Sequence, residues 1–169
     1  DVDDYLNYLG GYSGHFRLPD KSFTSNDLIM YGRCVWGHFI SKKYGRDMMR
    51  LCWEQIRSAP PLQAIDNALR LRGVDFSTAF AEWTLWNLFT GPRSDPAKYY
   101  PDGADYPSMV QVPVDYAPPG RDISGSLAAL GSRYYQVMRN SDTMTVILNN
   151  MDLAGAGAAS PPSRSYTYH

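Results

Sequence analysis

The sequence predicts an α+β chain, a compact antiparallel four-helix subdomain followed by an incomplete antiparallel β-sandwich unit. Between residues 26 and 90, apolar residues recur at three-and-four spacing, the signature of helix faces, and glycine or proline repeatedly interrupts the rhythm. The links between these runs are short, which predicts antiparallel neighbours. Beyond residue 108 the pattern changes to short alternating segments, roughly three of them, too few to bury both faces of a sandwich. The corresponding divisions are residues 1–107, 108–150 and a low-complexity tail at 151–169.

The first helix is predicted over 26–44. Leu28, Tyr31, Cys34, Val35 and Phe39, with Trp36, fall on one face. Asn26 suits the N-cap and Asp27 the positive end of the helix dipole. Lys42 and Lys43 occupy the last turn, and Gly45 supplies the left-handed stop. The second helix, 47–59, carries Met49, Cys52, Trp53 and Ile56 as its buried stripe and ends at Pro60-Pro61. A third, 62–72, buries Leu62, Ile65, Ala68 and Leu69, and Gly73 closes it. The fourth starts from a cap at Asp75 or Ser77 and runs to Thr90. Phe76 is placed to staple onto Phe80, and Phe80, Trp83, Leu85, Trp86, Leu88 and Phe89 ring most of the circumference, so it should be largely buried.

Around this frame, residues 1–9 read as the end of a helix (Val2, Tyr5, Leu6, Leu9) stopped by Gly10-Gly11. Residues 12–25 form a loop anchored by His15, Phe16, Leu18 and Pro19. Residues 92–108, rich in turn formers and tyrosine, wrap back over the helices. Strands follow at 109–116, where Pro113 dictates an edge or a bulge, and at 134–138 and 143–148, with R-N-S-D as a hairpin turn between the last two.

A net charge of -1 gives no electrostatic footprint for nucleic acid, and no apolar run approaches the ~20 residues a membrane span requires. The chain opens on Asp1 rather than Met, as a processed product or a fragment would. Thirteen tyrosines and only two glutamates, Glu54 and Glu82, lean toward an exported protein. Cys34 and Cys52 lie on consecutive helices, so either a disulfide or two reduced core thiols is consistent with the pattern.

Chemistry-bearing motifs are sparse. The three histidines, His15, His38 and His169, include no pair at a zinc spacing, and no H-E-x-x-H, C-x-x-C or G-x-S-x-G occurs. Cys34 and His38 stand four apart as an i, i+4 metal pair, although a structural histidine is the simpler reading. Asp1, Asp3 and Asp4 lack the ligand spacing of a calcium loop, and Asp102-Gly103-Ala104-Asp105 reads as an ordinary turn. Tyr99, Tyr100 and Tyr106 offer a sugar platform, whereas Trp53, Trp83 and Trp86 on helices read as core.

Tyr31-Gly32, the helix to Tyr44-Gly45, M-x-x-x-C-W-E-Q-I, G-V-D-F, a Trp-rich helix and then Y-Y-P-x-G-x-x-Y-P form a recognisable succession. It resembles the helical subdomain that follows the H-E-x-x-H region in secreted bacterial gluzincin-type zinc metallopeptidases. The resemblance covers residues 1 to about 148. It implies a portion of a secreted, bacterial metallopeptidase that lines a peptide-substrate cleft, with zinc held elsewhere in the parent protein. Three strands with alternating apolar positions cannot cover one another, so the rest of the parent, or a second chain, is expected to complete the β-sheet. Tyr31, directly before Gly32, matches the tyrosine that donates its hydroxyl to the developing oxyanion; a core aromatic is the simpler alternative. A secreted structural or adhesive module on the same scaffold, without catalysis, is the competing implication, and a carbohydrate-binding module a third.

Overall fold

Arg33 breaks the first predicted helix in two. In the computed structural model, which describes residues 4–115, 123, 125–138, 146–150 and 164–168 (the last two stretches by backbone alone), a short 3-10 turn at Asp4–Leu6 leads into α1 (Asn7–Gly10). The helix expected over 26–44 is α2 (Ile29–Gly32) and α3 (Val35–Tyr44). Between them the Arg33 N–H reaches both Ile29 O and Met30 O, and Cys34 N–H reaches Tyr31 O, the tighter bonding of a 3-10 turn. The Arg33 side chain is drawn inward, 6% exposed, where its guanidinium donates to the carbonyls of Ser22 and, at 2.9 Å, of Lys21. Asn26 is not the cap. Asp27 Oδ1 instead accepts from Ile29 N at 3.2 Å.

α4 (Met48–Ile56), α5 (Pro61–Arg70) and α6 (Phe76–Leu88) follow. Gly45 at φ 121° and Gly73 at φ 76° make the left-handed exits that a side chain would oppose. Pro61 starts α5 at its first position, where its missing N–H costs nothing. Asp75 caps α6 by accepting from Thr78 N at 2.7 Å, and Asp66 Oδ1 takes the Phe76 N–H at 2.9 Å. Contacts run from α3 to α4, α4 to α5, α5 to α6 and α3 to α6.

By contact pattern the chain divides into two units, Asp1–Val114 with Asp122–Gln136, and Asp115–Arg121 with Val137–His169. The core of the first is aromatic. Trp36 meets Trp83 edge-on at 5.6 Å, Phe39 meets Trp86 at 5.0 Å, and Leu9, Phe16, Met48 and Leu69 close the gaps. The 94–110 loop is pinned by Tyr100, Tyr106 and Met109, all buried, and by the Gly91 N–H bond to Gly103 O at 2.7 Å.

The stripe on α4 is out of phase with the sequence reading. Met48 and Cys52 point inward, while Met49, Trp53 and Ile56 are 42%, 66% and 38% exposed. Leu28 on the first predicted face and Leu85 on α6 are exposed as well.

The β segments do not form the antiparallel sandwich unit that the sequence suggests. β1 (Val112–Asp115) and β2 (Tyr135–Met138) form a two-stranded parallel pair, served by the long connection that parallel strands need. β3 (Val146–Asn150) pairs antiparallel with β4 (Arg164–Tyr168), Val146 opposite Tyr168 and Asn150 opposite Arg164. β2 and β3 are thus in separate pairs rather than in one hairpin. β4 falls within the stretch read as a tail, where R-S-Y-T-Y has the threonine and tyrosines that favour strands. Tyr134 turns onto the helices, its hydroxyl donating to Thr84 O at 2.7 Å. Asp1, Asp3, the R-N-S-D turn, residues 151–163 and His169 lie outside the described residues.

Candidate functional site

Tyr31 stands near the end of α2 and is 49% exposed, not in the core. Its ring lies 5.0 Å from that of Tyr8 on α1, inclined by 39°. The reason for Gly32 beside it is steric. A Cβ there would stand 2.3 Å from Tyr8 O and 3.3 Å from the His15 Cβ, so only glycine lets α1 and α2 approach this closely. The close crossing fixes the short α2 on α1 and therefore fixes where the Tyr31 phenol points from.

Tyr31, Cys34, His38 and Ser41 follow one another at i, i+3, i+7 and i+10, along one side of α2 and α3. The side chains of Cys34, His38 and Ser41, with Gly37 and with Met49 from α4, line an open groove of about 420 Å³. Met49 sulfur sits against Gly37, 3.3 Å from the place a Cβ would take. His38 is exposed, with the Tyr5 ring 5.1 Å away, and the Tyr5 hydroxyl lies 3.2 Å from that of Tyr106. Cys34 and Cys52 are both free thiols. Burial pushes the Cys34 thiol up to about 11 and raises Cys52 as well, so both are protonated near neutral pH and poor nucleophiles.

A second polar cluster is closed to solvent. Asn87 Nδ2 lies 3.2 Å from His15 Nε2, and Tyr100 donates its hydroxyl to Asn87 Oδ1 at 2.8 Å. With Asn87 donating, the neutral His15 ring carries its proton on Nδ1, which finds no partner among the described residues. The ring is stacked 4.8 Å over Trp83. Burial first, and the Arg33 charge second, lower His15 to about 3. This cluster is a strut joining the 12–25 loop, α6 and the 94–110 loop, with no room for a substrate.

The remaining sequence candidates separate cleanly. Tyr100 and Tyr106 are buried and Tyr99 is stacked on Phe89 at 4.3 Å, so the three tyrosines form no sugar platform. Trp83 and Trp86 are core, whereas Trp53 is exposed, against the expectation for a helix-borne tryptophan. Asp102 and Asp105 are the exposed corners of a turn closed by Asp105 N–H to Asp102 O at 3.0 Å. Among the described residues no group of three or more His, Cys, Asp or Glu side chains is gathered where it could hold a metal. Met49 and Asn87 are the site residues that sequence reasoning missed. Met49 looked like core because it lies within the apolar arc of α4, and a buried asparagine has no sequence signature. Comparison of the chain with protein-family models, with curated proteins and with solved structures finds no significant match.

Proposed function

We propose that this chain is the helical, cleft-lining C-terminal portion of a secreted bacterial zinc metallopeptidase of the gluzincin type. In this reading its helices form one compact subdomain, and the rest of the parent or a second chain completes its β-sheet. The observation that carries it is the position of Tyr31. A phenol that could have been core is half exposed, on a helix locked to its neighbour through Gly32 and Tyr8. A hydroxyl held on a rigid element is a preorganised donor to the oxyanion that develops when a peptide carbonyl is attacked. The residues described here do not fit a zinc centre: His15 is buried and engaged with Asn87, and His38 and Cys34 are only a pair. In this reading the metal is held by other parts of the parent. What this chain supplies is the hydrogen bond from Tyr31 and one wall of the cleft.

The test is Tyr31→Phe in the parent protein. Loss of one oxyanion donor lowers kcat by about 10²–10³, and here KM and zinc content should stay unchanged. An unaltered kcat removes Tyr31 from the mechanism. A parent that neither binds zinc nor cleaves peptides leaves the non-catalytic, adhesive module as the function.

A further inference from the structure

The groove between α3 and α4 brings together a thiol, an imidazole and a thioether. We propose that Cys34, His38 and Met49 form a binding site for a single copper(I) ion, independent of the peptidase reading. Cys34 and His38 are four residues apart within one continuous run of helical bonding, His38 N–H to Cys34 O at 3.3 Å, so their side chains rise on the same face one above the other. Gly37 lines the same groove and has no side chain of its own. The Met49 sulfur of α4 fills the space it leaves, 3.3 Å from the absent Cβ. Three potential ligands from two helices thus border the same cavity, which opens to solvent and gives an ion its entry path.

The donor set selects the metal. Thiolate and thioether sulfurs favour soft copper(I), whereas zinc is ordinarily held by Cys, His and carboxylates, and methionine is not one of its usual ligands. Two sulfurs and one nitrogen satisfy a three-coordinate copper(I) ion. Binding forms a copper–sulfur bond at Cys34, releases the thiol proton to solvent, and changes no oxidation state. Met49 is 42% exposed, and His38 is exposed with an aromatic neighbour, Tyr5, 5.1 Å away on one side of its ring. Neither side chain is needed to fill the core, which leaves both available to turn onto an ion.

Anaerobic titration of the chain with copper(I) against a chromophoric chelator tests the proposal. The expected result is one ion per chain, with two sulfur and one nitrogen scatterers in the X-ray absorption spectrum. Met49→Leu and His38→Gln, both at exposed positions, should each weaken binding at least tenfold, and Cys34→Ser should abolish it. Cys52→Ser should leave it unchanged. Absence of stoichiometric binding, or equal affinity in Met49→Leu, overturns the site. Loss of binding in Cys52→Ser overturns it too, since the ion would then be held by the two thiols.

Discussion

Two glycines in neighbouring helices should respond to the same substitution with opposite sign. At Gly32 a new methyl group would stand 2.3 Å from Tyr8 O and 3.2 Å from Tyr8 C, both backbone atoms of α1. Neither can move unless α1 moves, and α1 carries the buried Leu9. Overpacking of this kind costs typically 1–3 kcal/mol, and the helix-propensity gain from Gly to Ala, at most about 1 kcal/mol, is reduced at the last residue of so short a helix. The net expectation is a loss of about 2 kcal/mol. At Gly37, inside α3, the nearest atoms are Met49 Sδ at 3.3 Å and Cε at 3.8 Å, the far end of a flexible side chain that is already partly in solvent. A shift of a few tenths of an ångström relieves that contact, and the propensity term then dominates. Gly37→Ala should be neutral or stabilising by up to about 1 kcal/mol. Urea unfolding followed by tryptophan fluorescence is well suited, because Trp36, Trp83 and Trp86 are buried and report core exposure. With a slope of about 2 kcal/mol per molar urea, the Gly32→Ala midpoint should fall by about 1 M. A Gly32→Ala chain as stable as the wild type would refute the steric account, and with it the argument that this crossing fixes Tyr31.

His15 should make the fold acid-sensitive in a defined window. Its pKa is 6.5 when unfolded and about 3 when folded, so below pH 6.5 the unfolded chain takes up a proton that the folded chain refuses. Its stabilisation is fully present above pH 6.5 and should fall by roughly 1.4 kcal/mol per pH unit, about 3 kcal/mol by pH 4. Asp27, held low by its bond from Lys21, Asp66, held low by Arg70, and Asp75, held low by the Thr78 N–H, start from 3.8 and lose their stabilising contribution only at still lower pH. Denaturant melts between pH 4 and 7 should show the slope in the wild type and its loss in His15→Gln. Tyr100→Phe leaves Asn87 Oδ1 buried without its 2.8 Å partner and should cost about 1–3 kcal/mol in the same melts. Trp83→Ala should cost about 3–5 kcal/mol and Trp53→Ala less than about 0.5 kcal/mol, a contrast that calorimetric Tm values will resolve and that equal shifts would contradict.

The helices were legible where a boundary has a local cause. Pro60-Pro61, Gly45, Gly73 and the Asp75 cap act through backbone conformation or one nearby hydrogen bond, and the observed ends fall within a few residues of the expected ones. What broke the first helix is not local. Arg33 leaves the helical register to satisfy carbonyls at Lys21 and Ser22, twelve and eleven residues away, and no periodicity records that demand. The β region failed for a related reason. The R-N-S-D signal favoured a hairpin between residues 138 and 143, but the pairing goes from β1 to β2 and from β3 to β4, choices made at long sequence separation.

The candidate site was legible in its residue types and illegible in its phase. Tyr31-Gly32 and the Cys34–His38 spacing could be picked out, because each is a short-range pattern. Which face of α4 meets the core could not. Met48, Met49, Leu51, Cys52, Trp53 and Ile56 spread over an apolar arc wider than the core can cover, so periodicity alone does not separate a stripe through Met49, Trp53 and Ile56 from one through Met48 and Cys52. The structure settles it through the partners: Met48 and Cys52 are taken up by the aromatic core. That choice rotates Met49 toward Cys34 and His38 and leaves Trp53 and Ile56 in solvent. A single helix phase therefore decides whether the groove has a thioether at all. It also makes Met49→Leu a clean probe, since the methionine is not needed by the core that set the phase.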